Sequence, residues 1–76
     1  MYNYRVSLNS VEKVKDFVAV TSRLPMEMEL ASGRYVVDAK SIMGIFSLDL
    51  TQPMELRAHE KLGPEAEAAL APYFVK

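Results

Sequence analysis

Two polar side chains carry the chemistry open to this sequence: a lone histidine and a serine that precedes an apolar run. His59 is the one histidine among 76 residues, and no second ligand type lies near it at a metal-binding spacing. The chain has no cysteines, which excludes disulfides, thiol chemistry and most structural zinc sites. We therefore expect no metal, no cofactor and no enzyme activity, and a solvated surface position for His59.

The serine is Ser41, at the head of the segment "SIMGIFSLDL". Serine is a favoured helix N-cap, and its hydroxyl stabilises a helix by about 1 kcal/mol when it accepts an unpaired amide. The same position suits a phosphate, because about two negative charges would meet the positive end of the helix dipole. Lys40 would add a further counter-charge. Ser41 is therefore a candidate for regulatory phosphorylation as well as a cap.

The segment after Ser41 has more apolar side chains than a two-turn helix can bury along one stripe. If Ile45 and Leu48 point inward, together with Leu50, the others fall on a second face of the helix. That second face combines Ile42, Met43 and Phe46. Exposed apolar clusters usually mark contact sites, and Met and Phe are common at adaptable interfaces. The pattern predicts a docking or self-association surface with Lys40 beside it, unless a loop or a neighbouring protomer covers it.

The elements that position these residues follow from local periodicity. Alternating apolar and polar residues over 2–8 predict a half-buried strand. Either Asn9 or Ser10 can cap the helix that follows, and Asn9 is favoured because Glu12 stands three residues after it, as in a capping box. This helix ends before Pro25, which forces its predecessor towards extended geometry.

The remaining patterns predict three more strands and two more helices. In order they are a strand over 26–30, a return strand over 34–38, a helix over 41–48, a strand over 52–59 and a helix that opens at Pro64. In the return strand, Tyr35 and Val37 are expected to point inward. Because each strand has one apolar face, the order β-α-β-β-α-β-α predicts an α+β fold with helices on one side of an antiparallel or mixed sheet. Charges on the open side are expected to pair across strands: Arg5, Glu27, Glu29, Arg34, Asp38, Glu55 and Arg57.

The segment "KSIMG" followed by "IFSLDL", residues 40–50, resembles the regulatory-serine helix of the HPr phosphocarrier family of the bacterial sugar phosphotransferase system (PTS). The resemblance extends over most of the chain in element order and length. It implies one HPr-like domain over 1–76, an open-faced β-sandwich with a four-stranded antiparallel sheet and three helices on one face. It also implies that the serine matching Ser41 is phosphorylated by an ATP-dependent HPr kinase. The apolar residues matching Ile42, Met43 and Phe46 would dock onto partner proteins.

The sequence departs from this family at the phosphoryl-transfer site. HPr proteins carry a histidine in a motif of the form G-[LI]-H-A-R-P-A between the first strand and the first helix, where this chain reads "LNSVEKVKDF". Aligning the strand end with the helix start places Ser10 at the histidine position, with Glu12 and Lys13 in place of the following arginine and proline. Serine cannot form a comparably labile phosphoryl intermediate, and Glu12 would repel the phosphate. We expect histidine phosphoryl transfer to be lost, as in the regulatory HPr paralogues known as Crh.

Composition narrows the class of partner. A formal charge of −1, with 25% charged residues of both signs, gives no basic field for direct nucleic-acid binding. No apolar run reaches the roughly 20 residues of a membrane span, so a cytoplasmic location is expected. The expected function is a regulatory protein-binding module whose partners include an HPr kinase and a transcriptional regulator. Two alternatives remain: a PTS phosphocarrier that uses a non-standard residue, and a structural or self-association module.

Overall fold

The structure is a computed structural model that describes residues 2–75, and its elements follow the predicted order. They are β1 (Tyr2–Val6), α1 (Val11–Arg23), β2 (Met28–Ser32), β3 (Tyr35–Asp38), α2 (Ile42–Phe46), β4 (Met54–Ala58) and α3 (Pro64–Leu70), followed by a 3₁₀ turn (Ala71–Tyr73). Within the described part of the chain, no helix is both long and apolar enough to cross a membrane.

The four strands form one antiparallel sheet in the order β1-β4-β2-β3. The central strands β2 and β4 pair Leu30 with Leu56, and both of these side chains are fully buried. Directly paired residues share a face of the sheet, so the alternation along each strand separates a covered face from an open one. The predicted α+β class, with a four-stranded antiparallel sheet and helices on one side, is confirmed.

The core lies between the covered face of the sheet and the helices. Each helix contributes buried side chains to the same cluster as the strands. These are Val14 and Phe17 from α1, Ile45 from α2, and Ala66 and Leu70 from α3. The alternate residues of β4, namely Met54, Leu56 and Ala58, are buried on the covered face.

The two edges of the sheet differ. The free side of β1 is covered by the end of the chain, because Val6 forms a bridge with Phe74 and the amide of Ser7 donates to the main-chain oxygen of Tyr73 at 2.8 Å. The ring of Phe74 stacks on Tyr4 with centroids 5.5 Å apart. Across the sheet, β3 is the terminal strand of the described residues, and its outer side has no strand beside it.

Several local expectations were wrong. Ser10, not Asn9, caps α1, and Oγ of Ser10 accepts from the amide of Lys13 at 3.1 Å. The second strand begins at Met28 and not at residue 26. Tyr35 does point to the covered side as expected, because it pairs with Ser32, but it is not buried: it remains 70% exposed because it lies at the hairpin end of the edge strand.

Within residues 2–75, the charged residues predicted to pair on the open face form one ion pair, and it runs along a strand rather than across strands. Nε of Arg57 lies 2.6 Å from Oε1 of Glu55, two residues before it in β4. Both side chains are about two-fifths exposed, so this pair contributes at most a few tenths of a kcal/mol.

Candidate protein-docking site

Ser41 is held by a tight turn that joins β3 to α2. The amide of Lys40 donates to Oδ1 of Asp38 at 2.8 Å, and the amide of Ser41 donates to the main-chain oxygen of Asp38 at 3.0 Å. Short aspartate side chains stabilise turns through such local bonds. The turn therefore fixes the direction in which α2 leaves the sheet.

The Ser41 side chain caps α2. Its Oγ accepts a hydrogen bond from the amide of Gly44 at 3.1 Å, and its main-chain oxygen accepts the first helical bond from Ile45 at 3.0 Å. The hydroxyl is half-buried and occupied in this contact. The capping role expected from the sequence is present.

Gly44 lets α2 lie close to the sheet. A Cβ at this position would stand 3.1 Å from Cβ of Val37 and 3.2 Å from Oγ of Ser41. The first of these atoms is fixed to the main chain of β3, so it cannot move aside as the end of a flexible side chain would. The absence of a side chain at residue 44 therefore positions the Ser41 cap against β3.

Lys40 reaches away from the surface at which it was expected to act. Its Nζ donates to the main-chain oxygen of Leu24 at 2.9 Å, in a partly buried contact at the end of α1. Leu24 is the residue that ends this helix, where an ammonium group complements unpaired carbonyls and the negative end of the dipole. In the unmodified chain, Lys40 thus connects the Ser41 turn to α1.

A second contact at the same junction was not anticipated from the sequence. Thr21 is fully buried in α1, and its hydroxyl lies 2.9 Å from the main-chain oxygen of Ala39 and 3.2 Å from that of Val18. The shorter bond joins the helix to the turn that carries Ser41. Thr21 lies on the same face of α1 as the buried Val14 and Phe17, and its hydroxyl in that apolar stripe is the one sequence signal for a buried hydrogen-bond partner.

The three residues of the predicted apolar face of α2 differ in exposure. Met43 is 78% exposed and Phe46 is 38% exposed, whereas Ile42 is half-buried against the core. Ile45 and Leu48 point inward as expected, and Leu50 is partly buried. The exposed apolar surface of α2 is therefore the Met43–Phe46 pair.

Ser10 lies at the N-terminal end of α1, where it is exposed and acts as the helix cap. The first turn of this helix also contains Glu12, whose carboxylate complements the helix dipole. A negative side chain at this point opposes a second anion, so a phosphoryl group would gain little from the free amides there.

His59 lies far from that helix end. It follows β4 directly, and the antiparallel register places Ala58 beside Tyr2, whereas Met54 lies beside Val6, which leads to α1. Ala58 and Met54 are four residue steps apart, about 13 Å at 3.3 Å per residue, so His59 lies at the opposite end of β4 from the strand end that leads to α1. His59 is exposed, with Nε2 3.9 Å from Oε1 of Glu29.

Comparison with known proteins places the fold. No protein-family model and no curated protein matches the chain. Among solved structures, HPr-C-His from Thermoanaerobacter tengcongensis is 26% identical and has a TM-score of 0.76, covering 95% of this chain and 89% of its own. The chain is an HPr-like protein.

A second HPr structure agrees with the first. The phosphocarrier protein HPr from Bacillus anthracis str. Ames is 25% identical and has a TM-score of 0.72, covering 97% of this chain and 96% of its own. The similarity to HPr is thus not confined to the segment 40–50, because both structures align with nearly the whole chain.

Proposed function

We propose that this HPr-like chain is a cytoplasmic regulatory module of the bacterial phosphotransferase system that binds protein partners through α2. The observation that carries the proposal is the exposure of Met43, at 78%, two residues after the capping serine Ser41. A flexible thioether on a short rigid helix suits contact with more than one partner surface. An HPr kinase and a transcriptional regulator are the partner classes that the likeness to HPr suggests.

The docking surface consists of the Met43–Phe46 pair, with Lys40 and Ile42 at its margin. The Phe46 side chain is about two-fifths exposed, and Ile42 is partly buried against the core. Aromatic anchors surrounded by partly buried apolar groups are typical centres of binding energy. Lys40 contributes through its stem and through the orientation of the turn, since its ammonium group already contacts Leu24.

Ser41 is the candidate for regulatory phosphorylation. Its Oγ accepts a hydrogen bond from the amide of Gly44, so a phosphate attached to this oxygen would lie close to the amides of the α2 N-terminus. The added charge would lie beside the Met43–Phe46 pair and change which partner surfaces can approach. Modification would favour a basic partner and disfavour an acidic one.

Phosphoryl transfer is not part of the proposed function. Ser10 occupies the α1 cap, and Glu12 in the first turn of this helix opposes the phosphoryl anion. His59 lies at the opposite end of β4 from this site. Ser10 caps a helix but has no nucleophilic nitrogen. His59 has one but lies away from the α1 N-terminus, which could stabilise the transferred group.

Binding to a purified bacterial HPr kinase, measured by calorimetry, tests the docking surface. We expect Met43→Ser to weaken binding about ten-fold or more, the usual loss for an interface anchor. Tyr2→Ser is the matched control, because Tyr2 is a large exposed residue on β1, 45% exposed. Equal affinity of the two variants would contradict docking through α2.

A further inference from the structure

The outer side of β3 is an unprotected sheet edge. At the other edge, the end of the chain covers β1 through the Val6–Phe74 bridge and a hydrogen bond from the amide of Val75 to the main-chain oxygen of Arg5 at 2.9 Å. Nothing comparable lies beside β3 within residues 2–75. The strand reads YVVD, without the lysine or proline that commonly prevents edge pairing.

The register of β2 and β3 shows which main-chain groups face outward. The amide of Ala39 donates to the main-chain oxygen of Met28 at 3.1 Å, so the amide of residue 39 points towards β2. Donors alternate from side to side along a strand. The main-chain groups of Val36 and the amide of Asp38 therefore face away from the sheet, while the oxygen of Asp38 is taken by the amide of Ser41.

These outward groups are self-complementary about Val36. In an antiparallel pair of β3 strands with a two-fold axis at this residue, Val36 faces Val36 and forms two main-chain hydrogen bonds. The amide of Asp38 then faces the main-chain oxygen of residue 34 of the other copy. All four bonds use groups that are free of intramolecular strand partners.

The side chains of β3 favour the same antiparallel register, with the two-fold axis at Val36. A two-fold axis at Val36 places Arg34 of each copy opposite Asp38 of the other, which pairs opposite charges twice on the open face. On the covered face, Tyr35 lies opposite Val37 and buries part of a ring that is 70% exposed in one copy. An axis at Val37 would instead place Val36 opposite Asp38, which loses both the charge pairs and the apolar contact.

We propose that β3 pairs with β3 of a second copy of this chain, joining two four-stranded sheets into one antiparallel sheet of eight strands. The contact is isologous, as a two-fold dimer requires. It uses a surface other than the Met43–Phe46 pair, so it stands independently of the proposed docking function.

Light scattering of the full chain over a concentration series tests the dimer. We expect the mass to rise from 8.6 kDa towards twice that value as concentration increases. Val36→Lys should remove the increase, because two like charges would meet at the axis. Met43→Ser should leave it unchanged. A mass that stays at the monomer value throughout, or an increase that survives Val36→Lys, would overturn the proposal.

A charge-exchange experiment tests the register. Arg34→Glu alone and Asp38→Lys alone should each weaken association at least ten-fold, because each places like charges opposite one another. Mixed together, the two variants should associate again, since both facing pairs then have opposite charge. Arg23→Glu, the same charge change at the end of α1, should leave association unchanged. Failure of the mixture to associate while both variants keep the native circular dichroism would contradict pairing about Val36.

Discussion

The ammonium group of Lys40 donates to the main-chain oxygen of Leu24, 2.9 Å away, and so joins the turn before Ser41 to the end of α1. The two residues are sixteen positions apart in the sequence. Together with the hydrogen bond from Thr21 to Ala39, this contact holds the β3–α2 turn against α1. The orientation of the Met43–Phe46 pair thus depends on contacts made behind it.

Replacement of Lys40 tests this link. Lys40→Met keeps most of the apolar stem and removes the donor, and it should lower the free energy of unfolding by about 1 kcal/mol, the usual net value of one hydrogen bond. Lys15→Met, at an exposed position of α1, is the control and should change stability by less than about 0.5 kcal/mol. Urea denaturation measures both. Equal stability of the two variants would show that the contact with Leu24 does not stabilise the fold.

Gly44→Ala should destabilise the protein although alanine favours helices. In an unhindered helix this change gains about 0.5–1 kcal/mol, but here the new Cβ would meet Val37 at 3.1 Å and Ser41 at 3.2 Å. We expect a net loss of about 1–3 kcal/mol, as for other overpacked positions. Ala19→Gly in the exposed middle of α1 measures the ordinary helix preference and should cost about 1 kcal/mol. A gain of stability for Gly44→Ala in the same denaturation series would contradict the close packing of α2 on β3.

Thr21→Val should be more damaging than Thr21→Ser. Valine keeps the shape but leaves the buried oxygen of Ala39 without the hydroxyl donor at 2.9 Å, a loss of about 1–3 kcal/mol. Serine keeps the donor and loses one methyl group, about 0.8 kcal/mol. Thermal and urea unfolding of both variants give the comparison. If serine proves the worse replacement, the methyl packing of Thr21 outweighs its hydrogen bond.

The ionisation of Tyr73 should make stability fall at high pH. Burial raises the pKa of Tyr73 above its ordinary value of about 10, and the carboxylate of Asp16 raises it further. Because the folded pKa is the higher one, the contribution to stability is complete below pH 10 and is lost as pH rises through the raised value.

Unfolding by urea across this alkaline range checks the effect. Tyr73→Phe should flatten the decline, and Asp16→Asn should shift its midpoint to lower pH. A decline of the same size in Tyr73→Phe would assign it to other groups.

Local rules predicted much of this fold, because alternation along strands and apolar spacing along α1 depend on nearby residues only. The Ser41 cap was predicted for the same reason. Asn9 and Ser10 are both good caps, and the path of the chain out of β1 decides between them. Local rules do not describe that path. The contact of Lys40 with Leu24 and the half-burial of Ile42 depend on how α2 sits against distant elements. Tyr35 stayed exposed because strand order, not alternation, makes β3 an edge.

The central claim is that this HPr-like chain is modified at Ser41 and does not carry phosphoryl groups. The most direct test is the intact mass of the chain after incubation in parallel with phosphorylated Enzyme I and with HPr kinase plus ATP. We expect one added phosphate from the kinase alone, which Ser41→Ala abolishes while keeping the fold at a cost of about 1 kcal/mol. An acid-labile phosphate accepted from Enzyme I, or no modification of Ser41 by the kinase, would contradict it.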